Sequence, residues 1–195
     1  MTDLRICFLG DSLTFGQGDE SGLGWPGRVV LGAQAAGVNL TGYNLGVRGD
    51  TGAQIARRAA AEVKGRFRSG DAKAVTIFFG ANDIGQDLPL SDSVEALVTL
   101  LTWATEQKLT VFVLSPPLYA DPMSDALAAG MTQAFETVCA ERGVAYLNLR
   151  EAGVDWALWW AQAGAGDGVH PGGDAYASLA QVFSRWSAWT TWIAR

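Results

Sequence analysis

The chain has 195 residues, 49% hydrophobic and only 17% charged, which suits one buried core over residues 1–195 and excludes a disordered chain. A formal net charge of −6 opposes nucleic-acid phosphates, and no apolar run approaches the ~20 residues that span a bilayer. The expectation is therefore a single domain with no nucleic-acid partner and no membrane span.

The first apolar run of strand length, Leu4–Leu9, holds Cys7 and leads directly into Gly10-Asp11-Ser12-Leu13. That loop lies so close to Met1 that no secretory leader fits before it, so a cytoplasmic location is expected. Helical periodicity follows over Trp25–Ala36, then a second strand, Leu40–Leu45, and the loop Gly46-Val47-Arg48-Gly49-Asp50-Thr51. The next helix, Gly52–Phe67, carries Arg57, Arg58, Lys64 and Arg66, which with Arg68 read as a solvated basic face. Strand Ala74–Phe79 runs into Gly80-Ala81-Asn82-Asp83, and a helix is expected at Ser91–Lys108.

Strand Val111–Leu114, helix Ser124–Arg142 with Cys139, and strand Val144–Leu149 come next. A last helix from about Asp174 to Ile193 follows Asp167-Gly168-Val169-His170-Pro171. Strands alternating with helices imply βαβ units and a five-stranded parallel sheet covered on both faces. Ligands of such sheets bind beyond the carboxyl ends of the strands, where the Gly-rich loops should converge. Cys7 and Cys139 are expected as two buried thiols rather than a disulfide, and a single histidine leaves too few ligands for zinc.

Serine attacks a carbonyl only when a base takes its proton, and that base needs a carboxylate to fix its tautomer. His170 is the only histidine, and Asp167 stands three residues before it with Gly168 between. One tight turn can place that carboxylate against Nδ1 and leave Nε2 for Ser12. A lone histidine is more often a surface or capping residue, and a serine between strand and helix is often an N-cap; the neighbouring carboxylate and Gly-rich loop favour catalysis here. The chain contains no GxxxxGK[ST], GxGxxG or GxSxG, which removes nucleotide-cradle and nucleophile-elbow readings. Gly49 could offer a backbone N–H, and Asn82 an amide, to a developing oxyanion.

Phe8-Leu9-Gly10-Asp11-Ser12-Leu13-Thr14, Asn44–Thr51 with Gly49, Gly80-Ala81-Asn82-Asp83 and Asp167-Gly168-Val169-His170-Pro171 together resemble the conserved blocks of the SGNH (GDSL) hydrolases. The resemblance implies a flavodoxin-like three-layer α/β/α fold and a Ser12–His170–Asp167 triad. It also implies an oxyanion hole from the Ser12 and Gly49 N–H groups and the Asn82 side chain, with Asp11 and Asp83 in support and no metal or cofactor. Arg48 departs from the common family pattern; pairing with Asp50 or Asp83 is expected, the alternative being attraction of an anionic substrate.

The expected activity is hydrolysis of a small-molecule carboxylic ester, short-chain esters or acetyl sugars first, acyl-CoA thioesters or lysophospholipids second. An inactive ligand-binding relative is the competing class. Gly85–Leu90 and Pro116–Met123 are expected to touch substrate across an open, shallow site. Trp186, Trp189 and Ile193 read as core, Trp159 or Trp160 as a pocket wall, and Trp192 as an exposed residue contributing to a homodimer contact.

Overall fold

In the computed structural model, which describes residues 1–195, strands β1 (Leu4–Gly10), β2 (Leu40–Gly46), β3 (Ala72–Phe78), β4 (Thr110–Leu114) and β5 (Ala145–Leu147) form one sheet. Every pairing is parallel and the order is β2-β1-β3-β4-β5, the flavodoxin order. Alternate side chains of the strands enter opposite cores, as the two-residue pleat requires. Leu4, Ile6, Phe8, Phe78 and Phe112 face one layer, and Cys7, Leu9, Val75, Ile77 and Val113 face the other.

The first face is covered by α2 (Gly24–Ala35), α7 (Trp156–Ala165), α8 (Gly173–Arg185) and α9 (Ser187–Ile193). The second is covered by α3 (Gly52–Arg66), α5 (Leu90–Glu106) and α6 (Pro122–Glu141). Two short helices, α1 (Ser12–Phe15) and α4 (Ala81–Gly85), occupy the loops after β1 and β3. Local chemistry starts the longer helices: Thr51 and Gln54 form a capping box on α3, and the Asp121 carboxylate accepts the Ser124 N–H beside Pro122 on α6. Cys7 and Cys139 are both free and buried, and burial pushes each thiol up to about 12, so neither is a nucleophile at neutral pH.

The C-terminal segment differs from the single helix expected from periodicity. It breaks at Trp186, whose backbone is extended at φ −65°, ψ 129°. The break lets Trp186, Trp189 and Trp192 all reach Phe112, at ring separations of 5.6, 6.0 and 6.0 Å. A continuous helix would string those indoles along about 9 Å of its axis instead of gathering them on one ring, so aromatic packing overrides helix propensity here. Trp192 is accordingly 1% exposed rather than a surface residue, and it offers no homodimer contact. Helix α7 was absent from the expected elements, although its signal exists: the Asp155 carboxylate caps the Leu158 N–H, and Trp156, Trp159, Trp160 and Ala163 recur at helical spacing. No helix is long and apolar enough to cross a membrane.

Candidate active site

Because β2 and β3 flank β1 on opposite sides, the chain reverses direction across the sheet there, and the crevice opens beyond the carboxyl ends of β1 and β3. Ser12 is the first residue of α1, immediately after the crossover point. The Asp11 carboxylate caps that turn by accepting the Leu13 N–H at 2.9 Å. The left-handed Gly168, at φ +83°, closes a tight turn in which Asp167 accepts the N–H groups of Val169 at 3.0 Å and His170 at 2.9 Å.

Asp167 then meets His170 Nδ1 at 2.6 Å, and His170 Nε2 lies 2.8 Å from Ser12 Oγ. Three donated hydrogen bonds, the imidazole's first among them, hold the Asp167 carboxyl well below the usual carboxylate range. An ionised carboxylate only accepts, so Nδ1 carries the proton and Nε2 accepts from the serine hydroxyl. This is the tautomer in which imidazole can take the serine proton.

Ser12, Arg48, Gly49, Asn82 and His170 all line one groove of about 680 Å³, within the usual range for small-molecule sites. One wall is the loop after β4, with Leu118 and Tyr119, and the other is α7, with Trp159 and Trp160. The Trp160 indole donates to the Leu118 carbonyl at 3.3 Å, tying the two walls together. Rim residues Arg48, Gly49, Ala120, Asp121 and Val169 are exposed, so no lid closes over the groove. Of the segment Gly85–Leu90, only Gly85 reaches it; Leu88 and Leu90 turn toward a separate cavity beside α6, contrary to the sequence expectation.

Gly49 sits at φ +84°, and its N–H makes no hydrogen bond to the protein. The Asn82 amide donates to the Asp50 carbonyl at 2.9 Å and approaches the Asp11 carboxyl at 3.3 Å. Asp83, 1% exposed, accepts the Gly52 N–H at 3.0 Å and the Ser93 hydroxyl at 2.8 Å, locking the loop after β3 onto α3 and α5. Asp11 and Asp83 thus stand behind the groove rather than in it.

Two basic residues lie elsewhere than the sequence suggests. Asp50 is bonded to Arg58 at 2.6 Å and Asp83 is occupied by Gly52 and Ser93, so Arg48 pairs with neither and lies on the groove. Arg58, read from sequence as part of a solvated face, turns inward and also donates to the Gly10 carbonyl at 2.8 Å. It thereby joins the end of β1 to the loop that carries Gly49 and Asp50. A run of like charges conceals such a residue, because spacing alone does not say which guanidinium meets a buried carbonyl.

Burial raises the Asp11 carboxyl to about 7, the Leu13 N–H opposing this and the Asp83 and Asp50 charges adding to it. A carboxyl with a raised folded-state value favours folding at pH below the unfolded value and loses that contribution as pH rises through the folded one. Against Asp11→Asn, whose side chain still accepts from Leu13, wild type should lose relative thermal stability between about pH 4 and pH 8. A melting-temperature difference independent of pH would contradict an uncharged, buried Asp11.

No group of three or more His, Cys, Asp or Glu side chains is placed to hold a metal ion. A sequence profile of the GDSL-like lipase/acylhydrolase family matches residues 8–177. No curated protein matches by sequence. Among solved structures, the lipase/acylhydrolase from Enterococcus faecalis is 25% identical with a TM-score of 0.74, over 93% of each chain. The psychrotrophic esterase EstA from Pseudoalteromonas sp., in a form inhibited by monoethylphosphonate, is 19% identical with a TM-score of 0.74, over 98% of this chain and 99% of that one. Axe2, an acetylxylan esterase from Geobacillus stearothermophilus, is 20% identical with a TM-score of 0.69, over 94% and 95%. With the family profile running from Phe8 in β1 past His170, and so over every loop that lines the groove, the chain belongs to the GDSL-like lipase/acylhydrolase family and is a serine-type ester hydrolase.

Proposed function

We propose that the protein hydrolyses short-chain carboxylic esters, acetyl esters of sugars among them, through an acyl-Ser12 intermediate. The observation that carries this reading is the line from Ser12 Oγ through the His170 ring to Asp167, with contacts of 2.8 and 2.6 Å, on the floor of an open groove. Ser12 Oγ attacks the ester carbonyl carbon while its proton passes to His170 Nε2. The resulting oxyanion meets the N–H groups of Ser12 and Gly49 and one Asn82 amide hydrogen, released from its long contact with Asp11. Collapse breaks the bond to the alcohol oxygen, which takes the proton from His170. Water, deprotonated by the same nitrogen, then releases the acid and restores Ser12.

The short-chain preference rests on the exposed rim, which leaves an acyl tail partly in water, and Axe2 shows that a similar fold serves an acetyl esterase. A second reading, thioester or lysophospholipid hydrolysis, draws on the apolar walls of Leu118, Tyr119, Trp159 and Trp160. Each buried methylene contributes ~0.8 kcal/mol, so a chain lying fully along those walls would raise kcat/KM severalfold per carbon. Over p-nitrophenyl esters, kcat/KM should level off by an acyl length of about four carbons. A steady rise from about four to ten carbons would replace the short-chain reading with the second one.

A further inference from the structure

We propose that Arg48 selects esters that carry a second, anionic group, a carboxylate, sulfate or phosphate, a short distance from the scissile carbonyl. This inference rests on the ester-hydrolase reading of the groove and adds to it a substrate class. Three observations support it. Arg48 is the only lysine or arginine among the groove-lining residues. The two carboxylates expected from sequence to pair with it are engaged elsewhere, Asp50 with Arg58 and Asp83 with Gly52 and Ser93. The one acidic side chain in the lining, Asp121, is spent on the N-terminus of α6, where it accepts the Ser124 N–H at 2.8 Å.

Placement matters as much as charge. Arg48 immediately precedes Gly49, whose N–H makes no hydrogen bond to the protein and is the one proposed above to meet the oxyanion, and the two Cα atoms stand only about 3.8 Å apart. A guanidinium starting there reaches a ligand anion a few bonds from the reacting carbonyl, on either the acyl or the alcohol side. A protein of net charge −6 repels anions at long range. The exposed Asp167 behind His170 adds to that repulsion, so an anionic substrate needs a local cation at the groove itself. An unpaired guanidinium, five donors in a planar fork, suits oxyanion groups better than neutral sugars or alkyl chains.

The test compares matched esters on the intact protein: 4-acetoxybenzoate against its methyl ester for a charge on the leaving group, and mono-p-nitrophenyl adipate against its methyl ester for a charge on the acyl group. In at least one pair, the anionic-to-neutral ratio of kcat/KM should fall about fivefold in Arg48→Gln, the scale of one exposed ion pair. Arg48→Lys should retain part of the preference, and added salt should erode it in wild type. Ratios unchanged by Arg48→Gln in both pairs, or a wild-type preference insensitive to salt, would overturn the proposal while leaving ester hydrolysis standing. Failure to cleave any of the four esters would instead count against the underlying reading of the groove.

Discussion

Ser12→Ala should lower kcat for ester hydrolysis by about 10⁴-fold or more, with His170→Ala close behind it. Serine and imidazole act as one unit: the hydroxyl without Nε2 remains protonated, and Nε2 without the hydroxyl has no nucleophile to activate. The double variant should consequently be little worse than either single one. Neither change should unfold the protein, because the first turn of α1 is capped by Asp11 and the turn before His170 by the Asp167 carboxylate. Steady-state kinetics with p-nitrophenyl acetate, alongside far-ultraviolet circular dichroism, reads both statements. Retention of more than about a tenth of wild-type kcat by Ser12→Ala would remove the serine from its assigned role.

Asn82→Ala should lower kcat by about 10²-fold with little effect on KM. The reason lies in where its amide is held. The Asp50 carbonyl fixes one hydrogen, and the other rests on a 3.3 Å contact with Asp11, a weak bond that a developing oxyanion can outcompete. A ground-state carbonyl carries less charge and gains less from the same donor, so the loss falls on the chemical step. Asn82→Asp should be at least as damaging, because it places a second carboxylate against the buried Asp11. An effect confined to KM would make Asn82 a substrate-binding residue instead.

Legibility from sequence followed the range of the interactions involved. Ser12, Asp167 and His170 stood out because loop chemistry is local: a Gly-rich turn, a carboxylate three residues from an imidazole, a serine between strand and helix. Parallel strands buried on both faces announce themselves as short apolar runs, and all five were placed to within a few residues. Misreadings arose where distant partners decide the outcome. Trp186 ends a helix where its ring packs on Phe112, a β4 residue far away in the chain, as well as on its near neighbour Phe183. Arg58, Arg48 and Asp50 show the same limit in charge. Which arginine takes the carboxylate depends on Arg58 reaching the Gly10 carbonyl, a contact between residues 48 positions apart. The result left Arg48 unpaired on the groove, against expectation.

Activation of Ser12 by the His170–Asp167 pair can be read by active-site labelling. Wild-type protein treated with a fluorophosphonate probe and digested should show one phosphonylated peptide, modified at Ser12. Labelling should be absent in Ser12→Ala and slowed by orders of magnitude in His170→Ala. Stoichiometric labelling at another residue, or labelling of Ser12 at an undiminished rate in His170→Ala, would contradict it.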